Sequence, residues 1–189
     1  MEWRMRVLGV DPGTVATGWG VVEEHTQRLT HVAGGVIRPR GSLAERLAVV
    51  YEQVRRLLAD FEPTCLSLEK TFVGENVQSA FRLGEARGAI LVAAAQAGVA
   101  VREYSPAEIK VAVVGHGRAV KQQMQTMVIR LLDLHGPLAA DEADALGAAI
   151  CHLHTQSFAA RANAEIIPRV RRAAAARRGW AQRVVQLRR

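Results

Sequence analysis

Cysteine, lysine and aromatic side chains are scarce in this chain, and long apolar runs are missing altogether. Among 189 residues there are two cysteines, Cys65 and Cys151. Both lie in apolar stretches and match neither a disulfide framework nor a metal spacing, so they read as small buried hydrophobes. No run of about 18 apolar residues is free of charge or glycine, which leaves no candidate for a membrane span. The opening Met1-Glu2-Trp3-Arg4 lacks the apolar segment of a secretion signal, so the expectation is a soluble, cytoplasmic protein with no membrane partner. The length suits one domain with an appendage, large enough to bury a core.

Of the 25 basic residues 22 are arginine, and the lysines are Lys70, Lys110 and Lys121 alone. In such a background a retained lysine can mark a place that needs a compact, rotatable ammonium; chance survival at indifferent surface sites is the other reading. The net charge of +7 is also unevenly placed. From Ser157 onward nine arginines face a single acid, Glu165, a net of +8 that leaves the preceding body at −1. Polyanion binding is therefore suggested by the tail and not by the body, and the tail reads either as an electrostatic arm for phosphates or as a solvated basic helix.

Hydrophobic patterning divides the body into recognisable segments. Arg6 to Val10 is an apolar run halted at Asp11-Pro12-Gly13, as for a buried strand that delivers Asp11 at its C-terminal tip. Gly18 to Val22 and Leu29 to Ile37 extend it into a three-stranded meander. Ser42, with Glu45 in the capping-box position, starts a helix to about Asp60 whose apolar stripe is Leu43, Leu47, Val50, Val54, Leu57 and Leu58. Cys65 to Leu68 forms a fourth strand ending at Glu69. Helical propensity follows from about Glu75 to Ala97, then a strand from Val99 to Tyr104 and a short helix from Pro106 to about Val113. After the break at Gly115-His116-Gly117, two more helices are expected near Ala119–Leu132 and Asp141–Gln156. The order βββαβαβααα predicts an α/β fold with a mixed five-stranded sheet flanked by helices.

Two acids, Asp11 and Glu69, thus end strands, and parallel placement would bring them to one sheet edge. Asp141 and Asp144 open the last long helix on one face, with Glu142 turned roughly 100° away. Acids in a first helical turn are common for dipole reasons alone. Four convergent carboxylates are another matter, because each pair about 5 Å apart repels by ~3 kcal/mol at an effective dielectric of ~20. Divalent cations would relieve this. Oxygen ligands without His or Cys favour Mg²⁺ or Mn²⁺, and two such ions about 3.5–4 Å apart suit in-line phosphodiester hydrolysis.

Gly9-Val10-Asp11-Pro12-Gly13-Thr14 with Thr17-Gly18-Trp19-Gly20, then Leu68-Glu69-Lys70-Thr71-Phe72, then Val113-Val114-Gly115-His116-Gly117, then Asp141-Glu142-Ala143-Asp144-Ala145-Leu146 resemble, in order, the signature of the RuvC-type Holliday junction resolvases. The likeness covers about residues 6 to 156. It implies a ribonuclease H-like fold and a homodimer that makes paired nicks in like-oriented strands of four-way junction DNA, in recombination and repair. By position it makes Asp11, Glu69, Asp141 and Asp144 the catalytic, metal-holding acids, with two Mg²⁺ or Mn²⁺ ions per site. It places Lys110 and Lys121 near the scissile phosphate and Phe72, whose default reading from the residues is a core aromatic, where it can stack on bases. Lys70, Arg118 and His116 are assigned to DNA contact, Lys70 although its side chain should point to the opposite strand face; His116, between glycines, reads as a phosphate contact or as plainly solvent-exposed, not as a catalytic acid. Ala80, Gly84 and Gly88 make a smooth helical stripe that permits close packing, within the fold or across a two-fold axis, and the resemblance implies the dimer interface.

Residues 1–156 are therefore expected to form the nuclease domain and 157–189 a basic C-terminal extension. That extension is either an arm that orders on DNA or a tether for a partner such as a branch-migration helicase. Three rival readings differ in kind. An actin-like ATPase shares the Asp11-Pro12-Gly13-Thr14 turn but needs two lobes and a longer chain. A silent junction-binding module is disfavoured by retention of all four acids, and those acids alone do not exclude a ribonuclease.

Overall fold

The computed structural model describes residues 4–70 and 77–159. Its elements are β1 (Arg4–Asp11), β2 (Thr17–His25), β3 (Arg28–Ile37), α1 (Leu43–Phe61), β4 (Cys65–Glu69), α2 (Val77–Gln96), β5 (Ala100–Tyr104), α3 (Pro106–Val114) and α4 (Lys121–Leu131), followed by α5 over residues 140–159. This is the order expected from the sequence. Helix α5 continues past Gln156, where the sequence reading ends it, because Thr155-Gln156-Ser157-Phe158-Ala159 contains neither glycine nor proline to stop it. By packing, the chain divides into a unit ending at His154 and a second beginning at Thr155.

The strands form one sheet in the order β3-β2-β1-β4-β5. The β1–β2 and β2–β3 pairs are antiparallel, whereas β1–β4 and β4–β5 are parallel. Parallel neighbours need a crossover, and α1 and α2 supply the two that are required. The β2–β3 connection is a two-residue turn at Thr26-Gln27 with φ of 48° and 68°, positive at both positions as a tight hairpin demands. Ser42 caps α1 through the Glu45 amide, and Glu45 answers on the Ser42 amide. The same box recurs at Ser105 and Glu108 of α3.

Alternation along the strands sorts the core into two layers. Leu8, Val10, Val21, Leu66 and Leu68 point toward α1 and α2, where they meet Val50, Val54, Leu57, Leu58 and Ile90. Val7, Val22 and Tyr104 point the other way, toward Ile109, Val113, Met124, Val128, Leu146 and Ile150. Asp11 shares the strand parity of Val7 and Gly9, and Glu69 that of Ser67, so both acids belong to the α5 side. No helix among the described residues is long and apolar enough to cross a membrane. Cys65 and Cys151 are free thiols, both buried, as the sequence suggests.

Candidate active site

Register fixes the first two acids. Val10 pairs with Leu68 in the parallel β1–β4 ladder, so the next residues, Asp11 and Glu69, leave adjacent strand tips side by side. The turn after Asp11 is locked by Thr17, whose buried hydroxyl donates to the Gly13 carbonyl at 2.6 Å and accepts from the Gly13 amide at 3.3 Å. Opposite, the buried Ser67 hydroxyl donates to the Ala148 carbonyl at 2.6 Å and ties β4 to α5.

Helix α5 can lie this close because the strands beneath it lack side chains. A Cβ on Gly9 would overlap the Ala145 carbonyl, and one on Gly18 the Asp141 carbonyl. The obstacles are backbone atoms, so no rotamer change would relieve them. In the sequence these glycines fall within expected strands and show no role of their own. In the structure they are the floor on which the first turns of α5 rest, bringing Asp141 and Asp144 to Asp11 and Glu69.

The electrostatics register that convergence. Burial, then the carboxylates of Asp144, Glu69 and Asp141, push the Asp11 carboxyl up to about 7, while Lys121 pulls it down. Burial and then Asp144 raise the Glu69 carboxyl, against Lys110 and Lys121. Lys121 is the first residue of α4, the end of a helix dipole that disfavours a cation. Its ammonium lies 2.9 Å from Asp144 Oδ2, and this hydrogen bond is the main cause that raises its pKa. Glu69, Lys110, Lys121 and Asp144 line a cleft of about 260 Å³ together with Pro106, Ile109 and Met124.

The donor set is all oxygen and carries more negative charge than its lysines offset, which suits a hard divalent cation. Among the described residues, however, no three His, Cys, Asp or Glu side chains form a ready-made metal cage. One reason is visible, since Asp144 is already engaged by Lys121.

The remaining sequence candidates are dispersed. Lys70 is exposed and adds to the lowering of the Glu108 carboxyl, after the Ser105 hydrogen bonds. His116 and Arg118 are exposed in the connection between α3 and α4. Phe72, and the arginine-rich segment beyond residue 159, lie outside the described residues. Ala80, Gly84 and Gly88 lie on α2, where a Cβ on either glycine would meet nothing within 4 Å among the described residues. Glu142, as its helical angle predicts, turns from the other acids and packs on Gly34 of β3.

The model of the family described as crossover junction endodeoxyribonuclease RuvC matches residues 7–152. The chain belongs to the RuvC family. The RuvC of Ralstonia pickettii is 48% identical over 152 residues, covering 79% of this chain and 84% of the relative. That of Cupriavidus metallidurans is 49% identical over 150 residues, covering 78% and 83%. Among solved structures, Thermus thermophilus RuvC in complex with Holliday junction substrate aligns with a TM-score of 0.78 and 33% identity, over 82% of this chain and 96% of that one. The yeast mitochondrial resolvase Ydc2, 13% identical with a TM-score of 0.63, shares the fold. The architecture is thus the ribonuclease H-like one that the sequence motifs imply, and the RuvC match spans every element that contributes an acid to the cleft.

Proposed function

We propose that this chain is a structure-specific endonuclease that resolves four-way DNA junctions by paired, symmetric nicks, in recombination and repair. The observation that carries the reading is the meeting of Asp11, Glu69, Asp141 and Asp144 beside Lys110 and Lys121, within a RuvC fold. Asp11 and Glu69, from neighbouring strand tips, and Asp141 with Asp144, from one helix face, would hold two Mg²⁺ or Mn²⁺ ions. When bound, such ions supply Lewis acidity toward the scissile phosphate and an attacking water of lowered pKa.

The protein's own groups do the rest. Thr17 and Ser67 hold the strand tips and α5 in register, so the carboxylates are placed before DNA arrives. The ammonium groups of Lys110 and Lys121, on the wall of the cleft, hold the scissile phosphate and offset charge that accumulates as the new P–O bond forms. Lys70, His116 and Arg118 contact DNA farther out, and Phe72 stacks on bases.

A homodimer supplies the second nick. On α2, Phe81 and Val92 are 68% and 50% exposed, and with Ala80, Gly84 and Gly88 they give the outer face an apolar, low-relief strip. A second copy packed there would present two equivalent sites to two scissile strands. Residues 1–156 form the nuclease, and residues 157–189 serve as a phosphate-binding arm or as the tether for a branch-migration helicase, in the cytoplasm.

The test is cleavage of a synthetic four-way junction, a linear duplex and an RNA–DNA hybrid in Mg²⁺, Mn²⁺ or EDTA. Symmetric nicks confined to the junction and dependent on metal are expected. Cleavage of the hybrid alone, or cleavage in EDTA, overturns the reading.

A further inference from the structure

Among the described residues, Arg87 is a cation that reaches the backbone of a candidate catalytic acid, and nothing in the motifs points to it. It sits on α2, on the opposite side of the sheet from the cleft. Its Nη1 donates to the Glu69 carbonyl at 3.3 Å. Its Nη2 forms an ion pair with Glu103 of β5. The two side chains are only 19% and 34% exposed, so the guanidinium has given up much of its hydration and depends on these two partners.

The place of contact matters. The β1–β4 ladder runs as far as Val10 and Leu68, one residue short of the two acids. On the other side Glu69 pairs with Tyr104, and the Lys70 amide donates to the Tyr104 carbonyl at 2.7 Å. Arg87 adds a second anchor at the Glu69 peptide, from outside the ladder. A guanidinium fork can hold a carbonyl and a carboxylate at once, whereas a lysine ammonium has no such planar span. Fixing that carbonyl fixes the Cα–Cβ vector of Glu69, and hence where its carboxylate stands relative to Asp11 and Asp144.

We infer that Arg87 is a positioning residue for the cleavage reaction: by bridging Glu103 and the Glu69 carbonyl it sets the direction in which the Glu69 carboxylate enters the cleft. This rests on the reading of Glu69 as a catalytic acid. Loss of a group that orients a metal-holding side chain typically costs about 10–100-fold in metal affinity or activity.

The test compares full-length Arg87→Gln, Arg87→Lys and Glu69→Gln. The readouts are single-turnover kcat at saturating junction, the Mn²⁺ concentration giving half-maximal rate, junction Kd in EDTA, and Tm. For Arg87→Gln the expected result is a ~10–100-fold lower kcat and a similarly raised Mn²⁺ requirement, on the scale of such second-layer contacts, with junction Kd unchanged. Arg87→Lys, which keeps the charge opposite Glu103 but not the fork, should fall between it and the unmodified enzyme. A role in stability alone would lower Tm without moving the Mn²⁺ requirement of the folded protein, and that result overturns the inference. If Arg87→Gln does not fold, Arg87→Lys decides, because an unmodified Mn²⁺ dependence in that variant refutes the positioning role. A fully active Glu69→Gln would instead sink the reading of the site. An inactive Glu69→Gln beside unaffected Arg87 variants sinks only the present inference.

Discussion

Toward α1 and α2 the sheet presents Leu8, Val10, Val21, Leu66 and Leu68; toward α5 it presents Gly9, Gly18, Gly20 and the hydroxyl of Ser67. One side is filled by side-chain volume, and each fully buried leucine or valine contributes about 1.5–3 kcal/mol there. On the other, Val7, Val22, Leu146 and Ile150 also pack as side chains, but at Gly9 and Gly18, under the first turns of α5, backbone lies against backbone, and α5 answers with Ala143, Ala145, Ala148 and Ala149, all buried. Apolar volume stabilises without dictating position to a fraction of an ångström, because cores of the right size can repack. A helix seated on bare strands has no such latitude. The four candidate acids lie on the side where position is least adjustable.

The largest effect should come from altering charge on the α5 side. Asp144→Asn should lower nicking by about 10³-fold or more, the scale on which one member of a cooperating catalytic set acts, while junction binding persists. Loss of binding together with cleavage, in a junction-binding assay, would show that the acids serve the fold instead.

The next test sets the two sides directly against each other. Gly9→Ala places a methyl against the Ala145 carbonyl, so α5 must move, and a shift of about 1 Å at reacting groups can cost ~10²-fold in rate. Leu66→Val, at a fully buried position facing α1 and α2, should cost about 1 kcal/mol in denaturant unfolding and leave kcat unchanged. Equal kcat losses in both would erase the distinction.

Two titrations sharpen the comparison with smaller effects of opposite sign. The Asp11 carboxyl, raised from 3.8 to about 7 chiefly by burial, holds its proton more tightly folded than unfolded. In EDTA its contribution to stability is therefore full below about pH 4 and is lost as pH rises through about 7. Asp11→Asn should remove that slope in Tm measurements, and added Mn²⁺ should restore stability above pH 7 to the unmodified protein. His152 works in reverse. Its buried ring, with Nδ1 2.8 Å from the Tyr104 hydroxyl, has its pKa lowered first by burial and then by Arg102. The unfolded imidazole takes up a proton near 6.5 that the folded one resists, so stability falls as pH drops below 6.5. His152→Gln should flatten that acid limb, and an unchanged limb would mean that another group titrates there.

The two sides were also unequally legible in the sequence. Apolar periodicity marks α1 and its stripe well, since Val50, Val54, Leu57 and Leu58 are the residues the core buries. Strand ends located Asp11 and Glu69, and helical spacing put Asp141 beside Asp144 and turned Glu142 away. The glycines were harder, because a residue needed for close approach looks the same in a sequence as one needed for a turn. Arg87 gave no signal at all: its partners are a carbonyl, which has no residue identity, and a carboxylate on the following strand. Lys121 stood out as one of three lysines and by the family resemblance, but its 2.9 Å contact with Asp144 depends on how α4 meets α5.

The central position of β1 has a consequence for how the molecule comes into being. Its tip carries Asp11 and the β4 tip carries Glu69, both earlier in the chain than α5, so the acid cluster stays incomplete until α5 has emerged and settled onto Gly9 and Gly18. A chain still growing on the ribosome, however well its sheet has formed, holds two of the four candidate acids. The proposed cutting centre is complete only once α5 has docked, so products truncated before α5 are expected not to nick junctions.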